Sequence, residues 1–382
     1  MSDLLEHSPF DLASERRVVI IADWLPPDFG AVGQYMQMRA RALAEQGHDV
    51  TLLGLSSGEE AVRQETRGKG TLTEVRLATR PVPRRSFLAR LVWTAATNLR
   101  LVVAGYRALR AADGILFTGS PPLLIHLLAP LKPLWRGRLV YRITDFHPEC
   151  LIAARDRPSR VLDLLLGLTN FWRRRIDGFE VLGLDQLKRL RETGVREERI
   201  GLVRDGSPVS FADDVVAEPL PAVLEGSCVL LYAGNFGVAH DVETVAEGYR
   251  LHHRAGTGRV RLWLSATGAG ADDIVQRFAA QGLPFCKSEP VPLGRLAGLL
   301  RSPDAHLVTL KDAFVGFVMP SKIYACIESG KPVIFVGSET SDVDLLARAG
   351  GSDGYRRVEC GNAADFATAL EELADRVGKS PP

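Results

Sequence analysis

The sequence predicts an α/β protein of two domains facing each other across a cleft, and three observations lead there. The chain has 382 residues, about two and a half times the roughly 150 of an average domain. Short apolar runs alternate densely with amphipathic stretches through both halves. Each half opens on a buried strand, a glycine loop and a helix, the unit from which parallel sheets are wound.

In the first half Val18–Ala22 is a continuous apolar run, the mark of a strand covered on both faces. The Pro- and Gly-rich loop from Asp23 to Gly33 follows, then a helix over 34–46 closed by Gly47, and a second strand from Val50 to Leu55. Strands are expected at Ile115–Thr118 and Leu139–Ile143, with helices over 88–110, 122–131 and 160–175. The acidic stretch Asp213–Glu225, with two prolines, reads as a boundary excursion.

The second half starts with strand Val229–Ala233 and the loop Gly234-Asn-Phe-Gly-Val-Ala-His-Asp. Helices at Val242–Ala255, Asp272–Gln281 and Ile323–Ser329 alternate with strands Val260–Ser265, Ala305–Leu310 and Val333–Val336. Ala363–Val377 is an amphipathic helix. The division is therefore 1–205, 206–362, and a helix and tail over 363–382 packing back toward the first domain.

Composition excludes several classes. Formal net charge is +1, with 47 Lys and Arg against 46 Asp and Glu, unlike a nucleic-acid tail protein. The five cysteines are widely spaced, which argues against a disulfide scaffold or Cys-rich zinc site and for a reducing compartment. No secretory leader is read at the polar start Met1–His7, so a cytoplasmic location is expected. The stretch Leu88–Leu109 is interrupted by Arg90, Arg100 and Arg107, so it is expected to lie on a membrane rather than cross it.

The summed charge hides an asymmetry. Residues 76–175 hold 18 Lys or Arg and 5 Asp or Glu. Arg84, Arg85, Arg90, Lys132, Arg136, Arg138 and Arg173–Arg175 are interleaved with Phe87, Trp93, Trp135, Phe171 and Trp172. That mixture suits an anionic membrane surface, equally a plain solvated face, and less well a nucleic acid.

The loops suggest phosphate chemistry. Gly30 and Gly33 precede a helix, and Gly234 and Gly237 repeat the arrangement in the second half. Such loops let backbone N–H groups approach an anion, although a plain pair of turn glycines reads the same way. Neither is a dinucleotide fingerprint or an ATPase phosphate loop. Around Pro320, Ser321 is a candidate N-cap and Lys322 falls in the first helical turn, where a cation is unfavourable unless an anion sits there too. Asp145, His147 and Glu149 follow a strand, which makes Asp145 a candidate acid–base group. No His/Cys pair has metal-ligand spacing, so no metal site is expected, and His126 reads as a core or helix-face histidine.

Taken together these segments resemble the retaining, nucleotide-sugar-dependent glycosyltransferases of family 4, which have the GT-B fold of two Rossmann-like domains. The resemblance rests on Pro26–Tyr35 with Leu43–Val50, on Arg142–Glu149, on Leu202–Ser207 with Asp205 where Asn is usual, on Tyr232–Gly237, and on Pro320–Tyr324 through Gly330–Val333. It is nearest the branch that builds bacterial cell-surface polysaccharides.

The resemblance implies an acceptor-binding first domain and a nucleotide-sugar-binding second. Gly30 and Gly33 would approach the diphosphate or the sugar. Gly234, Asn235, Gly237, His240, Ser321, Lys322 and Glu328 would hold the donor, UDP- or GDP-linked. Asp145 and Lys322 would serve catalysis, with no cofactor and no divalent metal required. A lipid-linked or polysaccharide acceptor at the inner face of the cell membrane is implied, with peripheral contact to anionic lipid.

The chain departs from the family at several places. Phe317 and Ala325 stand where two glutamates are usual, which leaves Glu328 as the nearest carboxylate. Val238–Asp241 replaces a cationic pair, so Lys322, Lys311 and His240 are left to supply positive charge; Thr144 stands for a histidine. A catalytically weak homologue serving as a scaffold, or a sugar-nucleotide epimerase, are the competing readings.

Overall fold

The protein is seen here as a computed structural model that describes residues 14–28, 30–80, 87–155, 157–350 and 354–378. The start Met1–His7, Arg84, Arg85, the Phe87 side chain and the tail after Gly378 lie outside what is described. The chain divides into two compact units, Met1–Arg204 and Asp205–Pro382.

The first unit runs β1 (Arg17–Trp24), α1 (Ala31–Gln46), β2 (Asp49–Ser56), β3 (Ala61–Arg67), β4 (Gly70–Ala78), α2 (Phe87–Ala111), β5 (Gly114–Thr118) and α3 (Ile125–Leu128). It continues with β6 (Arg138–Ile143), α4 (Glu149–Ala153), α5 (Arg160–Arg173), β7 (Gly178–Val181), α6 (Leu184–Glu192) and β8 (Ile200–Leu202). The strand order is β3-β4-β2-β1-β5-β6-β7-β8, with β3 antiparallel to β4 and the other pairs parallel. From β1 the chain winds one way through α1 to β2, then returns through α2 to β5. Right-handed crossovers therefore put α1 on one face and α2, α3 and α5 on the other. The order reverses at β1, where open α/β sheets leave a crevice beyond the strand ends.

The sequence reading did not include β3, β4, α4, β7, α6 or β8, and it made one helix too long. The helix expected over 122–131 shrinks to α3 and a separate 3-10 turn at Lys132–Leu134. Leu123, at φ +67°, is out of the helical region at the start, and Pro130 lacks the N–H that the last turn would donate. The β3–β4 hairpin is an addition: β3 is polar and mostly exposed, so it shows no burial pattern.

A buried ion network ties β1's partner helix to the sheet. Glu180 on β7 takes both Arg39 nitrogens, at 2.5 and 2.7 Å, and Arg142 on neighbouring β6 at 2.9 Å. Burial alone would raise the Glu180 pKa, but the two guanidinium groups outweigh it and hold the carboxyl below its usual value. Its stabilising share is thus present above the unfolded pKa and is lost as pH falls through the folded one. Glu180→Ala removes the carboxylate that one buried and one part-buried guanidinium share and is expected to cost about 3–5 kcal/mol, read as a lowered denaturation midpoint. An unchanged midpoint would show that the network only fills space.

The second unit runs β9 (Cys228–Asn235), α7 (Val242–Arg254), β10 (Val260–Thr267), α8 (Ala269–Gln281), β11 (Phe285–Ser288) and α9 (Leu293–Arg301). Then come β12 (Ala305–Thr309), α10 (Lys322–Glu328), β13 (Val333–Val336), α11 (Asp342–Ala349), β14 (Arg356–Val358) and α12 (Ala363–Val377). The sheet is parallel, ordered β11-β10-β9-β12-β13-β14, and its switch point lies between β9 and β12.

The sequence set 363–382 apart as a helix turned toward the first domain. The structure instead uses the α12 apolar face inside the second unit. Phe366, Leu370 and Leu373 join Val245, Tyr249 and Leu262 in one core cluster. An amphipathic helix buries its stripe on the nearest apolar surface, and α7 provides it.

Candidate functional site

In the first unit, β1 ends at Trp24 and the chain turns through Gly30 into α1. A Cβ at Gly33 would run into the Trp24 carbonyl, so glycine is required there for the helix to close on the strand end. Gly30 has no such constraint. Its backbone is extended, and an added Cβ would rest 3.4 Å from the Trp24 oxygen. Of the two glycines expected to meet a ligand, Gly33 serves helix–strand packing and Gly30 stands at the open N-terminus of α1, where no side chain caps the free N–H groups.

Asp23 lies beneath this loop. Backbone N–H groups of Asp23, Gly33 and Trp24 favour its charged form, while Oδ1 is buried without a hydrogen-bond partner. Burial first, and then the neighbouring Asp145, push its pKa up to about 7. Asp145 follows β6, and burial raises its pKa to about 6. The Asp145 charge thus adds to the cost of ionising Asp23, while burial alone accounts for the Asp145 shift. The sequence pointed to Asp145 and overlooked Asp23, because a lone aspartate after a strand carries no signal of burial.

The two other groups in this segment do not join them. Glu149 is engaged by the fully buried Arg173, and His147 is held neutral, its pKa lowered to about 4 by burial. Among the described residues, no group of three His, Cys, Asp or Glu side chains is arranged to hold a metal ion. His126 bonds Thr169 at 3.1 Å, joining α3 to α5.

In the second unit the loop after β9 and the start of α10 meet. Gly234 has φ +111°, a left-handed backbone that favours glycine, and a Cβ there would lie 3.8 Å from the Lys322 Nζ. The Lys322 ammonium sits 3.4 Å from the centre of the Tyr232 ring, buried and without a hydrogen-bond partner. Burial lowers its pKa to about 7. Tyr232 Oη donates to the Asn235 carbonyl at 2.9 Å, so one ring both faces the ammonium and pins the loop.

Asn235 is exposed, its amide nitrogen 3.2 Å from where a Gly237 Cβ would be. Ser321 precedes α10 without capping it, and its hydroxyl is half-exposed beside Lys322. Gly234, Asn235, Gly237, Ser321 and Lys322 are thus gathered at the carboxyl end of β9, beside the switch point. Tyr232 was missed because its role depends on a lysine far along the chain.

Two expected donor contacts differ. His240 cannot supply positive charge. Burial, then the nearby Lys322, lowers its pKa to about 3, and its Nδ1 donates to the Thr309 carbonyl at 2.6 Å. It stands edge-on to Tyr232 and Phe236 as a neutral ring backing the loop. Glu328 is exposed at the far end of α10, about 9 Å along the axis from Lys322 and on another side of the helix.

No protein-family model matches the chain, and no curated protein matches it. Solved structures do. Sucrose-phosphate synthase from Thermosynechococcus elongatus superposes with a TM-score of 0.70 at 15% identity, over 95% of this chain and 91% of that one. WaaG, a glycosyltransferase involved in lipopolysaccharide biosynthesis, gives 0.62 at 12% identity over 94% and 91%. Anabaena Alr3699/HepE in complex with UDP-glucose gives 0.62 at 12% identity over 95% and 91%. At such identities the likeness is one of architecture. Two Rossmann-like units, matched over almost the whole chain, give this protein the GT-B fold of those glycosyltransferases.

Proposed function

We propose that the protein is a nucleotide-sugar-dependent glycosyltransferase. It moves a sugar from a nucleoside diphosphate donor, UDP- or GDP-linked, to a lipid-linked or polysaccharide acceptor in cell-surface glycan synthesis. The observation that carries this reading is Lys322: a buried ammonium without a hydrogen-bond partner, beside a left-handed glycine loop at a sheet's switch point. Leaving a cation so placed is costly unless an anion completes it. A diphosphate provides that anion, and the fold is shared with a protein solved with UDP-glucose.

In this reading the second unit binds the donor through Gly234, Asn235, Gly237, Ser321 and Lys322. The first unit holds the acceptor, with Asp145 near the acceptor hydroxyl. Lys322 and loop N–H groups stabilise the charge that grows on the leaving phosphate. That phosphate takes the acceptor proton on the same face, so configuration at the transferred carbon is retained. Asp23 and Asp145, which together resist full ionisation, keep the first unit's site able to hold a proton. Action at the inner face of the cell membrane, in the cytoplasm, follows from a lipid-linked acceptor.

The test is calorimetric titration of nucleoside diphosphates and nucleotide sugars without added metal. Micromolar binding of one of them is expected and would name the base. That donor then permits a transfer assay, with the product's anomeric configuration read by NMR. Absence of binding across the panel would sink the reading in favour of a degenerate scaffold, which Phe317 and Ala325 at the glutamate positions would then explain.

A further inference from the structure

The two sheets end on the edge strands β3, β8, β11 and β14. The last three have three, four and three residues, too short to template a partner strand. β3 is the exception. It runs for seven residues, Ala61-Val-Arg-Gln-Glu-Thr-Arg, and Val62–Thr66 are exposed. It holds no proline, and its register with β4 is unbroken from Ala61↔Arg76 to Arg67↔Gly70, so no bulge twists the edge away.

The hairpin turn decides which groups this edge offers. Arg67 and Gly70 flank the two-residue turn Gly68-Lys69, with Gly68 at φ +56° in the place where such turns favour glycine. The residues flanking such a turn exchange their backbone hydrogen bonds. Alternation along the ladder then turns the N–H and C=O groups of Arg63, Glu65 and Arg67 toward β4. Those of Val62, Gln64 and Thr66 point off the sheet.

Side chains sort by the same alternation, with Arg63, Glu65 and Arg67 on one face and Val62, Gln64 and Thr66 on the other. Arg63 makes no ion pair among the described residues, because Glu74, opposite it on β4, is held by Arg76 and Gln37. Arg67 engages Oε1 of Glu65 at 2.6 Å. On the other face Leu53, Val75 and Val62 stand side by side across β2, β4 and β3, and Val62 ends that row 71% exposed.

We infer that β3 pairs antiparallel with β3 of a second copy about a two-fold axis through Gln64, which joins the two first-unit sheets into one. In that register Gln64 lies opposite the partner's Gln64 and Val62 opposite the partner's Thr66, so the outward backbone groups of all three positions are satisfied. Arg63 faces the partner's Glu65, and Glu65 faces the partner's Arg63. Both pairs fall at positions without backbone hydrogen bonds, where side chains approach most closely. Moving the axis to residue 63 or 65 sets Arg63 against Arg63 or Glu65 against Glu65. Moving it to 62 or 66 leaves only Ala61–Arg63 or Glu65–Arg67 paired. The alternating charges therefore select one register and reject its neighbours. A strand from another protein would have to reproduce this pattern, which a second copy already carries. The inference stands apart from the transfer chemistry, and its test uses no nucleotide sugar.

One strand from each copy falls short of the roughly 1,600 Å² that a standard interface buries, so the dimer should be weak. Sedimentation equilibrium of the full chain at micromolar concentrations is expected to show reversible dimerisation, weakened by high salt. Arg63→Glu and Glu65→Arg each set like charges face to face, and each should weaken the dimer at least about tenfold. Mixed in equal amounts, these two variants oppose acid and base at both positions and should recover association. Both side chains are exposed, so each variant should keep the wild-type melting temperature. Gln64→Pro removes the central outward N–H while leaving the bonds to β4, and it should abolish the dimer. In the wild type, amide exchange at Val62, Gln64 and Thr66 should slow as concentration rises. A wild type that stays monomeric overturns the inference and leaves the edge to a strand of another protein. A dimer that all three substitutions leave intact overturns it too, since the contact would lie elsewhere. A mixture that associates no better than its components overturns the register.

Discussion

Replacing Asp145 by asparagine is expected to lower glycosyl transfer at least about a hundredfold while the protein stays folded. Burial raises the Asp145 pKa to about 6, so the native state binds its proton more tightly than the unfolded chain does. By linkage, the stability this group contributes is present at low pH and is lost as pH rises through about 6. Above that pH the buried carboxylate is a cost. Asparagine removes the cost, so the variant should melt no lower than wild type at neutral pH. A loss of transfer without a loss of stability separates a chemical role from a structural one. Wild-type activity should also climb as pH passes about 6, and the variant should lack that limb. Asp23→Asn should leave the limb in place, because Asp23, with a pKa near 7, is still protonated where Asp145 titrates. Near-normal turnover in Asp145→Asn would take the residue out of the mechanism.

How far the sequence reveals this protein depends on where each property arises. The central strands were legible because a strand covered on both faces is one apolar run: Val18–Ala22, Val229–Ala233 and Val333–Val336 all fall inside β1, β9 and β13. The edge strands β3 and β14 were not, since a polar strand held by a single neighbour leaves no such run. The glycine loops and the start of α10 were legible because glycine and proline mark backbone events locally.

Charge state was not legible, because burial sets it and burial is a tertiary property. His240 looks like a cation by residue type and is a neutral ring in the core. Arg173 sits in a run of three arginines that reads as surface, yet it is fully buried on Glu149. Asp23 and Asp145 are far apart in the chain, and the charge of Asp145 reaches Asp23 only because β1 and β6 flank β5. Helix faces are a middle case. The α5 sequence shows its apolar spacing plainly, but only the structure shows which stripe is left facing solvent.

Lys322→Met should weaken nucleoside diphosphate binding by about tenfold to a hundredfold, the range expected when one charge-assisted contact is removed. Affinity for the bare nucleoside should hardly change, since the base and ribose do not need the ammonium. The pH dependence is the sharper signature. In the free protein burial lowers the Lys322 pKa to about 7, so near neutrality the ammonium is only partly protonated. A bound diphosphate favours the charged form and raises that pKa, so binding takes up a proton. Wild-type affinity should therefore fall as pH rises above about 7, by up to about tenfold per pH unit, and calorimetry in buffers of different ionisation heat should register the proton. The methionine variant should show neither effect. Stability moves the other way. A lysine whose folded pKa lies below its unfolded value destabilises the native state at any pH where the unfolded chain is still protonated. Methionine fills the space above Tyr232 without that cost, so the ligand-free variant should melt at or above the wild-type temperature at pH 7. A variant that melts lower, and loses nucleoside and diphosphate affinity equally, would make Lys322 a packing residue and remove the main support for a donor site in the second unit.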